Sequence, residues 1–225
     1  MEEVDLSVSE QVKSEISKLS KMSLKEKLEH IWTYYKFLLI AIAVIVIVAV
    51  SIIGALLNPD PPTFASIAFY EVYLGDAFDA EFKEILTGEL IGEGDNSAIT
   101  TDFMFSGGDP SAEMAMVQKL MAIVSSRSLD IIIAENENIE QFIAEGYFMP
   151  VASAGLEVPE EYLVYGSTSD DDDDDAPLAY AVNLAGSGML RDLGIRAEAL
   201  SLGIVVNTER PENAASIAVY ILGAG

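Results

Sequence analysis

The chain has no cysteine, so it can form no disulfide, no thiolate nucleophile and no cysteine-ligated metal site. Histidine is nearly absent as well: the single one, His30, lies ahead of a long apolar run. The region beyond residue 57 therefore lacks the residues for a Ser-His-Asp or Cys-His nucleophilic site, or for a histidine-ligated zinc. Positive charge is also scarce, with 12 Lys plus Arg against 37 Asp plus Glu and a net charge of −25. From residue 58 onward the imbalance is 30 acidic residues against 6 basic ones. A field of that sign repels nucleic acid and anionic surfaces, and it favours solubility.

Apolar residues are abundant, at 51%, but unevenly spread. "FLLIAIAVIVIVAVSIIGALL", Phe37 to Leu57, runs 21 residues without a charge. As a helix it would extend about 31 Å, the thickness of a bilayer's hydrocarbon core. A cleaved signal peptide has a shorter apolar region and a shorter lead, so the run predicts a retained transmembrane helix. Lys18, Lys21, Lys25, Lys27 and Lys36 precede it, and no Lys or Arg occurs in the 20 residues after it. The positive-inside rule then places the N-terminus in the cytoplasm and residues 58 to 225 outside the cell. Trp32, Tyr34 and Tyr35 fall where an interfacial aromatic belt belongs, and Ser23-x-x-Glu26 forms a capping box. Leu24, Leu28, Ile31, Trp32 and Tyr35 share one face of the helix it opens, which can rest at lipid headgroups or pack on a cytoplasmic partner. With no cysteine to carry a lipid, this helix is the anchor in view.

Four segments follow: a cytoplasmic tail and interfacial helix (1–36), the span (37–57), a proline-rich extended linker "NPDPPT" (58–63), and an exported domain (64–225). In the domain, strand and helix patterns alternate three times. "FASIAFYEVYL" leads to a helix with Phe78, Phe82, Ile85 and Leu86 on one side, and "AITTDFMF" to a second helix. There Asp109 is the N-cap, Pro110 opens the first turn, and Met114, Val117, Leu120, Met121 and Val124 are in register. "LDIIIA" reads as a strand buried on both faces, followed by "NIEQFIAEG" with Gly146 as the terminating glycine. This alternation predicts an α/β domain with a largely parallel sheet. Later come "EYLVYGS" and "LAYAVNLAG", strands flanking an acidic hairpin loop (167–177), then a short helix, the strand "EALSLGIVVNT" and a closing helix begun by Pro211.

"MVQKLMAIVSSRSLDIIIAENENIEQFIAEGYFMPV" resembles the segment of bacterial extracellular solute-binding proteins in which a helix leads to a buried strand and a residue cluster at the cleft. Gly146, Tyr147, Phe148, Met149 and Pro150 resemble the family's motif at the end of the following helix, and "SLGIVVNTERPENAASIAVYIL" its late strand–helix unit. "SLKEKLEHIWTYYKFLLI" is similar to the membrane approach of anchored proteins of Gram-positive bacteria. The resemblance runs over roughly residues 64 to 225 and implies one lobe of a periplasmic-binding-protein fold. Family members grip a solute between two lobes. Here only about 50 residues separate Pro150 from Leu200, too few for a second lobe, so hinge closure is lost or much reduced.

Other chemistry is thinly supported. Thirty acids always offer carboxylate pairs, so pairs carry no information about glycoside hydrolysis. Gly107-Gly108-Asp109-Pro110 puts backbone amides at a helix start, where an anion could sit. Asp170 to Asp175 lack the spaced ligands and the glycine of a calcium loop, and read as a solvated loop. No enzyme activity, cofactor or metal is expected.

Two functions fit. One is a membrane-anchored binding module presenting an acidic α/β domain to a solute or transporter. The other is an accessory protein of a membrane complex whose degenerate lobe recognises another protein. In open parallel sheets ligands meet the loops at strand carboxyl ends. The candidate ligand-binding residues are therefore Tyr73, Ser106, Asp109, Glu135 and Asn136. A lone lobe supplies about half the contacts, so small-solute binding is expected to be weak or absent.

Overall fold

Leu24–Leu57 wind into one uninterrupted helix, α1, in the computed structural model of the chain, which describes residues 24–57, 61–75, 77–168 and 177–223. Ser23 of the expected capping box and the acidic run Asp170–Asp175 lie outside the described residues. The chain divides into two compact units, residues 1–60 and 61–225. Within α1, Lys36–Gly54 form a 19-residue stretch of mean hydropathy 3.2, the one helix among the described residues long and apolar enough to cross a membrane. Its described side chains are exposed, Ile45 and Ile47 at 67%.

The second unit holds a six-stranded sheet. Its elements in chain order are β1 (Thr63–Tyr70), α2 (Phe78–Leu90), β2 (Ala98–Met104), α3 (Pro110–Ser125), β3 (Ile131–Glu135), α4 (Asn136–Ala144), β4 (Leu163–Gly166), β5 (Leu178–Asn183), α5 (Gly188–Asp192), β6 (Leu200–Ile204) and α6 (Pro211–Leu222). The strand order is β2-β1-β3-β6-β5-β4. Helices cover both faces. On one, Phe78, Phe82 and Leu86 of α2 pack with α5 and α6 on Ile67, Phe69, Ile131 and Ile133. On the other, Met116 and Leu120 of α3 and Ile139, Phe142 and Ile143 of α4 pack on Ala68, Tyr70, Ile132 and Ala134. The odd–even split along β1 and β3 is the period-two alternation of a strand buried on both sides.

The expectation of a largely parallel sheet needs correcting. β1 pairs in parallel with β2 and β3, whereas β3–β6, β6–β5 and β5–β4 are antiparallel, so the sheet is mixed. β3 is central and buried, as its unalternating sequence requires, but two-face burial does not fix a neighbour's direction. The β4–β5 hairpin, with Gly166 opposite Leu178, sends the chain back so that β6 enters between β5 and β3 running the opposite way.

A second correction concerns α3. Asp109 caps it as expected, accepting from the Ser111 amide at 2.8 Å, and Pro110 opens it. Of the expected stripe Leu120 is buried and Val124 packs on the core, with Met116 buried beside them, but Met114, Val117 and Met121 are exposed at 66%, 38% and 54%. The helix is apolar around most of its circumference, so periodicity alone could not choose the stripe that meets the sheet.

At the amino end of the strands Asp130 is fully buried. Its carboxylate accepts from the Ser66 amide at 2.7 Å, from the Thr208 hydroxyl, and from Arg210 Nε at 3.0 and 3.2 Å. One side chain thus ties β1, β3 and the turn before α6 together. The Gly-aromatic motif after α4 is also structural: Phe148 is 2% exposed and lies against Gly203, where a Cβ would come within 2.5 Å of its ring.

Candidate functional site

The connections after β1 and β3 leave the sheet towards opposite faces, β1 into α2 and β3 into α4. Adjacent strands whose connections diverge leave a crevice between their carboxyl ends, the place where open α/β sheets receive ligands. A cleft of roughly 410 Å³ opens there, lined by Val72 and Tyr73 after β1, Glu135 at the end of β3, Gly194, Ile195, Arg196 and Ala199 from the segment before β6, and Leu200. Tyr73 and Glu135, predicted from sequence, come together in it. Arg196 was not foreseen; it lies between regular elements, where no hydrophobic pattern marks it.

Tyr73 is 81% exposed and also borders a second cleft of about 460 Å³ with Leu74, Gly75, Asp79, Phe103 and Phe105. Its ring meets Phe105 edge-on at 6.1 Å. Burial works against ionising the Asp79 carboxyl, but hydrogen bonds from Lys83 and Thr101 outweigh it and hold the group below the ordinary aspartate value. Asp79 therefore stays an anion already engaged by its neighbours.

Ser106 and Asp109 line neither cleft. They build the turn that starts α3, and several of its amides are taken up internally. Ser106 N–H donates to Glu71 Oε1 (3.0 Å), Gly108 N–H to Ser106 Oγ (3.2 Å), and Asp109 N–H to the Ser106 carbonyl (3.2 Å). Gly107 and Gly108 both adopt positive φ, at 61° and 81°, which is what these glycines are needed for. Carboxylates at Glu71, Asp109 and Glu113 make this helix start a poor seat for an anion. Asn136 accepts from the buried Ser201 hydroxyl at 2.8 Å and so fastens the start of α4 to β6.

Glu71 is the other residue that the sequence reading missed. It sits at φ 53°, and its amide donates to the Met104 carbonyl at 2.7 Å. It ends β1 and locks the loops after β1 and β2 together. The alternating "EVYL" reads as more strand, which hides that break. Among the described residues no group of three or more His, Asp or Glu could hold a metal ion. A larger groove lies elsewhere: about 630 Å³ between Val151, Leu156, Val158, Leu163 and Leu178, mostly apolar and holding none of the predicted residues.

Comparison with protein-family models, curated proteins and solved structures gives no match for this chain.

Proposed function

We propose that the chain is a single-pass membrane-anchored binding module, presenting an acidic α/β domain outside the cell in the manner of one lobe of a solute-binding protein. The observation that carries this reading is the cleft at the divergence of β1 and β3, where Tyr73, Glu135 and Arg196 offer an aromatic ring, an anion and a cation to one small volume. The apolar stretch Lys36–Gly54 and the lysines before it support the anchor and its orientation. A protease added to intact cells should remove the domain beyond Pro59 and spare the lysine-rich segment before the span. Protection of residues 64 to 225 contradicts the reading.

Affinity follows from the single lobe. A solute held from one side makes about half the contacts of an enclosed one, against an undiminished cost of immobilisation, so binding should be on the order of millimolar, about −4 kcal/mol. Calorimetric titration with sugars, peptides and cations tests this. Micromolar binding lost on Glu135→Ala or Arg196→Ala contradicts the single-lobe account.

A further inference from the structure

The exposed stripe on α3 stands apart from the cleft. Met116 and Leu120 point into the sheet; Met114, Val117 and Met121 lie roughly 110° further round the helix at 3.6 residues per turn, one above another. Lys119 occupies the opposite flank and reaches Asp102 of the outermost strand at 2.5 Å. The stripe is therefore on the flank turned towards α4, which packs on the same sheet face. Three apolar side chains exposed at i, i+3 and i+7 match the spacing with which a helix is read by a partner helix. Two are methionines, whose unbranched side chains adapt to different surfaces.

The charge around the stripe selects the partner. α3 and α4 with the caps Asp109 and Glu145 carry five carboxylates, Asp109, Glu113, Glu137, Glu140 and Glu145, and one cation, Lys119, which Asp102 already engages. The Glu113 and Glu145 fields both reach Tyr70, which lies beneath the two helices and whose phenol is raised first by burial, then by Glu71, and after it by these two charges. An apolar stripe rimmed by uncompensated carboxylates repels an acidic partner, a second copy of this chain and an anionic lipid surface alike, and attracts a cationic segment with an apolar face.

We infer that the Met114–Val117–Met121 face of α3 docks a basic amphipathic helix of a partner protein. The inference rests on the stripe and its acidic rim, not on the cleft, so Glu135→Ala should leave it intact. The test uses the full chain in zwitterionic nanodiscs and a Leu/Lys amphipathic helical peptide with a benzophenone on its apolar side. Adducts should map to residues 114–121. Yield should fall at least about tenfold for Met114→Gln/Met121→Gln, for a scrambled peptide of equal charge, and for a Glu-for-Lys analogue. The double variant replaces exposed residues only and should keep the parent's melting temperature. Adducts scattered over the acidic surface, or unaffected by the double variant, overturn the inference. So does a dimer of the chain without peptide, or binding to anionic vesicles, if Met114→Gln/Met121→Gln abolishes it.

Discussion

The two ends of the sheet carry charge in opposite ways. At the amino end Asp130 is wholly buried and every partner is accounted for: an amide, a hydroxyl and a guanidinium hold it. At the carboxyl end Glu135 and Arg196 share a cleft, both exposed, and neither is in an ion pair among the described residues. A buried charge must be satisfied within the fold, and that makes it a fastening. An exposed one contributes little to stability, and its interactions stay open to a ligand. The difference separates what holds the domain together from what it offers to its surroundings.

The largest effect should come from the fastening. Asp130→Ala leaves the Ser66 amide without its carboxylate and Arg210 without a counter-charge, and should cost about 3 kcal/mol, the lower end for a broken buried pair because Arg210 is partly exposed. Chemical denaturation of the variant measures it; a loss under about 1 kcal/mol would remove the contrast between the two ends.

Next is Gly203→Ala, which places a methyl against the buried Phe148 ring and should destabilise by about 2 kcal/mol. The double variant Gly203→Ala/Phe148→Leu should recover part of this, since the clash is with the ring. A neutral Gly203→Ala would show that residues 147–149 are not locked to β6.

A smaller effect depends on pH. Burial, then Glu71, Glu113 and Glu145, raise the Tyr70 phenol above its ordinary value of 10.0. The native state thus keeps a proton that the unfolded chain gives up. This stabilising contribution is intact below pH 10 and is lost as pH rises through the higher folded value. Tyr70→Phe should make the alkaline fall in stability shallower; an unchanged slope would place Tyr70 in a more open setting. Smallest of all, Tyr73→Ala and Glu135→Ala should shift stability by no more than about 0.5 kcal/mol. A larger loss at either position would turn the cleft into another structural fastening.

Much of the parallel half was legible in the sequence because its signals are local. Asp109, Pro110 and Pro211 mark helix starts, Gly146 at φ 74° follows the end of α4, and the Ile131–Ile133 run demands burial on both sides. Direction was not legible, since β6 has the same five buried residues whichever way it runs. The Asp130 network joins residues 64 to 80 positions apart, beyond any local pattern, although an aspartate opening an all-isoleucine strand already requires a distant partner. The strand-end rule puts Tyr73 and Glu135 at one cleft because it follows from chain direction. It gathered in Ser106, Asp109 and Asn136 as well, whose hydrogen bonds turn inward.

Chemical-shift mapping of the full chain during titration with a panel of small solutes tests the central claim most directly. If the divergence of β1 and β3 is the recognition site, the amides of Val72, Tyr73, Glu135, Ile195, Arg196 and Leu200 should move together, with midpoints on the order of millimolar. Perturbations confined to the larger groove around Val151, Leu156 and Leu178, with Tyr73 and Glu135 silent, would contradict it.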